Sequence, residues 1–301
     1  MDQEIIRALE SGPAAARPGL MNALARRGSK SAVPALLALA ASADAATARA
    51  AFRALGQLAE PSSLATMIER LLNLKAPAAR GDAESAVIKL LQRDPDSDHR
   101  SLAVIQALAQ TKDVEGRRSL IALLPACGDD RALQAVKTER ASTDATLRDA
   151  ALCAMADWPD AAAVDALLTE AEQATQNNER VLALRGVARL LRQSTAAAPA
   201  IKAQFEKAMT LARYASEKKL VISALAGGQH EFALQMLAPQ LDDPTVRAEA
   251  AQAAITLSQR LYKAFPTTTK ALLQKLSNMP VDPSVKKSAA DLLEVMAKNP
   301  S

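Results

Sequence analysis

One phrase recurs along this chain: an acid, a few small residues, a basic residue, then an alanine-rich apolar helix. It reads DAATARAAFRALGQLA from Asp44, DATLRDAALCAMADW from Asp144, DPTVRAEAAQAAITL from Asp243 and DPSVKKSAADLLEVM from Asp282. Looser copies lie near Glu84, Arg117, Arg180 and Lys218. The step is roughly 30 to 40 residues, the period of helical solenoids. A unit that short cannot bury its apolar face alone, so neighbours must cover one another. The 301 residues therefore read as one continuous repeat domain, 1–301, rather than as two globular domains.

The residue types agree with that reading. Apolar residues make up 49% of the chain but aromatics only 2%, and the excess is alanine and leucine, which favour closely packed helices over strands. The expected fold is all-α, a right-handed α-solenoid of about nine antiparallel helix pairs. Periodicity and breakers place the pairs at 2–28, 31–59, 62–93, 98–127, 129–158, 160–194, 196–227, 229–265 and 267–298. Ser62, Asp144, Ser216, Asp243 and Asp282 are expected to cap helix starts, with Pro244 and Pro283 at first helical positions. Gly28, Gly128 and Gly227 are expected just past helix ends. TQNNER before Val181 and STAAAPA from Ser194 read as longer loops between helices.

The second helix of each pair has the clearer pattern. In TARAAFRALGQLA, residues Ala48, Ala51, Phe52, Leu55 and Leu58 share one face, leaving Arg49, Arg53 and Gln57 elsewhere. With Pro34 early in the preceding helix, this arrangement of D(x)nR and AAxALG resembles HEAT repeats, most clearly at 31–59, 129–158 and 229–258. The stretch from Ala150 to Leu191 is also similar to HEAT segments of large bacterial proteins that carry sugar-hydrolase-like domains. The first resemblance implies a binding or scaffolding role with second helices lining a concave face; the second implies an accessory module of a larger sugar-active enzyme.

The Asp-to-Arg phrase itself reads as a structural joint: Asp144 and Asp243 cap a helix while Arg148 and Arg247, four residues on, reach carbonyls or acids of the adjoining repeat. Net charge is only +4, but the cations gather on the second helices. Candidate partner contacts are Arg117, Arg118, Arg148, Arg180, Arg185, Arg189, Arg192, Lys218, Lys219 and Arg247, densest from 180 to 219. Arg185, Arg189 and Arg192 follow at i, i+4 and i+7 and so share a face. Two readings stay open: a groove for an acidic protein segment, or ordinary solvated helix surface. Nucleic acid is the alternative partner, with few aromatics to stack on bases.

Catalytic and metal chemistry find little material. There is no P-loop, no GxSxG, and no Gly-rich turn between strand and helix. The two histidines, His99 and His230, lie far apart, and His230–Glu231 is a single HE pair, whereas HEAT-like di-iron hydroxylases use several. Trp158 with Asp157 and Asp160 could suggest a base-excision groove in a HEAT-like scaffold. Followed by Pro159 at a helix end, it reads instead as an apolar plug. Cys127 and Cys153 lack CxxC spacing and read as buried small hydrophobes. The expectation is a non-catalytic module with no cofactor, metal or membrane contact, cytoplasmic as the sequence stands unless it is part of a longer secreted protein.

Overall fold

The computed structural model describes residues 2–298, and these form eighteen α-helices with no strand among them. In chain order the pairs are α1 (Asp2–Ser11) with α2 (Arg17–Arg26), α3 (Val33–Leu39) with α4 (Ala45–Leu58), and α5 (Leu64–Leu72) with α6 (Arg80–Arg93). Then come α7 (Ser97–Gln110) with α8 (Val114–Cys127), α9 (Asp130–Arg140) with α10 (Ala145–Ala156), and α11 (Val164–Gln173) with α12 (Asn177–Leu191). The last three are α13 (Ala198–Leu211) with α14 (Ala215–Ala226), α15 (Glu231–Gln240) with α16 (Arg247–Leu261), and α17 (Pro266–Asn278) with α18 (Pro283–Lys298). Each of the nine pairs falls where helical periodicity puts it.

Local chemistry explains most of the boundaries. The Asp44 carboxylate accepts from the Thr47 N–H at 2.9 Å, Asp113 from Gly116 at 2.7 Å, Asp129 from Ala132 at 2.8 Å, and Asp144 from Thr146 at 2.8 Å. Such caps contribute about 1 kcal/mol each. Gly28 and Gly128 end their helices at φ 67° and 70°, a conformation that penalises any Cβ. Other expected punctuation differs. Gly227 does follow the end of α14, though with an ordinary right-handed φ of −81°, whereas Asp243 and Pro244 lie in the turn ahead of α16, whose cap position is Val246, and Ser62 sits inside a 3-10 turn, Pro61–Ser63. Ser216 caps nothing: α14 starts at Ala215, and Glu217 accepts from the Arg213 and Tyr214 N–H groups at 2.7 and 3.1 Å. Most of TQNNER is helix rather than loop, since α12 begins at Asn177, while 192–197 does form an inter-helix loop.

The contacts group the chain into two compact units divided between Ala154 and Met155. Within the first, second helices stack in succession, α2 on α4, α4 on α6 and α6 on α8, while α3, α5, α7 and α9 stack beside them. Within the second, α12 packs on α14, α14 on α16 and α16 on α18, with α11 on α13 and α15 on α17. Small residues set how closely the second helices approach. A Cβ on Gly56 would lie 3.2 Å from the Ala86 Cα, and one on Gly186 would lie 2.9 Å from the Ala156 Cα. The cores are leucine and alanine throughout, with Phe52 and Trp158 fully buried. Trp158 is thus an apolar plug, and its indole N–H has no hydrogen-bond partner.

Candidate partner-binding surface

Two sets of arginines do different work on the second helices. The arginine of the Asp-to-Arg phrase folds back onto its own pair. Arg148 donates to the Ser142 and Thr143 carbonyls at 3.2 and 2.9 Å, and Arg247 to the Leu241 and Asp242 carbonyls at 2.8 and 3.3 Å. Asp144 caps the start of α10, whereas Asp243 accepts from Thr245 inside the turn ahead of α16 and does not cap that helix; in both repeats the guanidinium closes the turn that precedes the helix. The joint so formed lies within a repeat, where the sequence pattern suggested a link to the adjoining one. Arg117 does the same toward Leu108 and Thr111 at 3.2 and 3.0 Å, and adds a two-pronged bond to Glu139 at 2.6 and 2.8 Å.

A second set, late in the helix, ties neighbouring repeats together. Arg93 donates to the Gln57 and Ala59 carbonyls at 2.8 and 3.1 Å, Arg189 to Ala156 and Trp158 at 2.7 and 2.6 Å, and Arg260 to Ala226 and Gly227 at 3.1 and 3.3 Å. Each guanidinium satisfies the orphan carbonyls at the end of the preceding second helix and places positive charge against its negative dipole end. Ion pairs add to this stacking. Asp82 on α6 lies 2.7 Å from both Arg49 and Arg53 on α4. Burial opposes ionisation of its carboxyl, but the Arg53 and Arg49 guanidiniums outweigh it and hold the group below the usual carboxylate range.

Most of the cations expected to face a partner are therefore already engaged. Arg180 is the sharpest correction: it is 1% exposed, pairs with Glu217 at 3.0 Å, donates to Asn177, and lies 5.4 Å from the Tyr214 ring centroid. A guanidinium enclosed in this way reaches no surface ligand. Lys218 pairs with Asp243 at 2.7 Å, Lys219 with Glu249, and Arg118 with Glu115 at 3.0 Å across one helical turn. The Lys218 ammonium, followed by Thr245, holds the Asp243 carboxyl far below its ordinary range.

Arg185 and Arg192 are the exceptions among the ten. Both are exposed, and neither guanidinium has a hydrogen bond or ion pair among the described residues. Seven residues apart, Arg185 on α12 and Arg192 just past its last residue project on the same side, about 10 Å from each other along the helix axis. Arg192 rests beside Gly227, but the Gly227 carbonyl already accepts from Arg260. The residues that sequence reasoning missed are Arg93, Arg260, Asp82 and Glu217. The recurrence of arginine late in second helices was the one available signal for the first two.

The remaining chemistry is sparse. His99 lies 2.5 Å from Asp94, and His230 stacks on Phe232 with ring centroids 5.3 Å apart. No group of three or more His, Cys, Asp or Glu that could hold a metal ion occurs among the described residues. Cys127 is buried, and burial followed by the nearby Asp129 pushes its thiol up to about 12; Cys153 is exposed, and neither is in a disulfide. No described helix is long and apolar enough to cross a membrane.

Comparison with known proteins agrees with this architecture. Residues 3–87 match the family of HEAT repeats. No curated protein matches the chain. Among solved structures, Kap121p is similar at a TM-score of 0.53 and 17% identity, over 99% of this chain and 38% of its own length. A triple mutant of Kap121p gives 0.55 and 16% over the same shares. This chain thus spans well under half of Kap121p, and the likeness is one of fold. Human deoxyhypusine hydroxylase aligns over 90% of this chain and 99% of its own, at 18% identity and a TM-score of 0.35. The α-helical stacking and the HEAT-repeat match together fit a protein-interaction scaffold.

Proposed function

We propose that this chain is a non-catalytic protein-interaction module in which Arg185 of α12 and Arg192, which directly follows that helix, receive an acidic segment of a partner protein. The observation that supports it is selective. Around these two arginines the helix cations are consumed by carbonyls and carboxylates of the chain itself, as with Arg180 and Arg189. Arg185 and Arg192 alone of the ten candidates combine exposure with unsatisfied donors. A segment in the polyproline II conformation has three residues per turn and advances about 3.1 Å per residue, so carboxylates three residues apart share one side at about 9 Å and match the roughly 10 Å between the two guanidinium stems. Two isolated cations on one helix are a poor track for a phosphate backbone, which favours protein over nucleic acid as the partner.

The test is affinity purification of the full chain, wild type beside R185E/R192E, with partners quantified by mass spectrometry. The expected result is loss of one or more partners carrying an acidic segment, with direct binding of that purified segment reduced by the same substitutions. Identical partner sets would overturn the reading. Tight binding to duplex DNA that collapses with rising salt would replace it with the nucleic-acid alternative.

A further inference from the structure

In the second unit, a cavity of about 400 Å³ opens between the 192–197 loop, α13, the end of α14 and the start of α15. Its lining combines an apolar part with polar groups. Leu191, Ile201, Phe205 and Phe232 supply the apolar part; Phe205 and Phe232 have ring centroids 6.2 Å apart at 49°. The chain holds only four phenylalanines, and two of them meet here. Arg192 and His230 supply polar groups, and His230 lies nearly parallel to the Phe232 ring, at 16°.

The charge around the cavity is one-sided. None of the lining residues is an acid, and the Arg192 guanidinium has no carboxylate or carbonyl partner among the described residues. It packs against the end of α14, where a Cβ on Gly227 would lie 3.3 Å from the Arg192 Nε. The carbonyls there are occupied by Arg260, so the Arg192 fork is held beside the cavity with its donors unused. A guanidinium in that state is suited to a carboxylate, which it can bind with two parallel hydrogen bonds. The apolar part is large enough for one aromatic or branched side chain.

We infer that this cavity is a recognition pocket for an apolar side chain next to a carboxylate, presented by the acidic segment of a protein partner. Phe205, Phe232 and Ile201 take the apolar group, and Arg192 takes the carboxylate. The inference deepens the proposed function and rests on it for the source of the ligand, while the pocket chemistry can be tested alone.

The experiment is saturation-transfer NMR and titration of the intact chain with the C-terminal amides N-acetyl-Phe-Glu-NH2 and N-acetyl-Phe-Gln-NH2, so that the Glu side chain carries the sole carboxylate. The expected result is binding of the Glu dipeptide about tenfold tighter than the Gln dipeptide, the difference one charge-assisted hydrogen-bond pair supplies. R192Q should erase that difference. T195W, which places a large side chain at the exposed 195 position on the cavity wall, should weaken both ligands, and K89Q on α6 should change neither. Equal affinity for the two dipeptides on the wild type, no binding of either at millimolar concentration, or an unchanged preference in R192Q would each overturn the pocket. If the dipeptide binds as expected while R185E/R192E keeps every partner, the pocket stands and the partner-segment reading fails.

Discussion

Arg180 and Glu217 lie 37 residues apart in sequence and meet at 3.0 Å in an environment where their side chains are 2% and 0% exposed. The pair links α12 to α14. Glu217 also accepts the two N–H groups that lead into α14, and Arg180 is further held by Asn177. Both carboxylate oxygens and two of the three guanidinium nitrogens of this bridge are therefore held by local hydrogen bonds. Fully desolvated pairs gain little net stability but are costly to break.

Removing one partner should expose that cost. R180M leaves the Glu217 carboxylate buried without its cation and should destabilise the fold by about 3–5 kcal/mol. R180M/E217L should recover most of this, remaining about 1 kcal/mol below wild type because the α14 entry loses its acceptor. Urea unfolding of both variants followed by circular dichroism measures the difference. Equal losses in the single and double variants would mean that the ion pair is not the controlling interaction.

The late-helix arginines should act at a distance in sequence. R189A removes donors from the Ala156 and Trp158 carbonyls and should cost about 1.5–3 kcal/mol. Its signature is local: hydrogen exchange should accelerate over 153–158 as well as around position 189. Protection that changes only on α12 would argue against a joint between repeats.

Three glycine-to-alanine substitutions should separate by the space each meets. G186A forces a Cβ to 2.9 Å from both the Ala156 Cα and the Leu167 Cδ1, so about 1–3 kcal/mol should be lost to overpacking. G56A, at 3.2 Å from the Ala86 Cα, should lose less. In α2, G19A meets nothing within 4 Å and should raise stability by about 0.5–1 kcal/mol through helix propensity. Thermal melting of the three variants gives the ranking directly.

Acid should weaken the second unit through Asp243. Its hydrogen bonds from Lys218 and Thr245 depress the carboxyl pKa in the folded state, so the unfolded chain binds the proton more readily. The contribution is therefore fully present above the ordinary carboxylate pKa of about 4 and is lost as pH falls through the lower native value. In D243N the stability at pH 7 should be lower and the decline between about pH 4 and pH 2 shallower than in wild type. Denaturant midpoints across that range check both; parallel curves would remove Asp243 from the acid response.

The helix pairs were legible because their signals are local. An aspartate, a small turn and an apolar period of 3.6 announce a helix within a dozen residues, as at Asp44 and Asp144. The fate of arginines such as Arg180 and Arg189 was not, because it depends on atoms more than thirty residues away. Arg180 and Arg185 look alike in sequence, yet one faces Glu217 across a repeat and the other faces solvent. Helical phase places both on the same helix but carries no information about which neighbouring side chain arrives opposite. The misread loop TQNNER has a similar origin: two asparagines and two charges look irregular, but Asn177 and Arg180 are ordered together by their mutual hydrogen bond and by Glu217.

The carbonyl-binding arginines also give the chain a direction in time. The last turn of α4 waits for Arg93, 34 to 36 residues later, and the last turn of α14 waits for Arg260, 33 to 34 residues later. At synthesis rates of about 5–20 residues per second, a helix end emerging from the ribosome stays open for roughly 2–7 s before its closing residue exists. Nascent chains should thus carry an unfinished helix end at the growing edge after α4, α10 and α14 have each emerged.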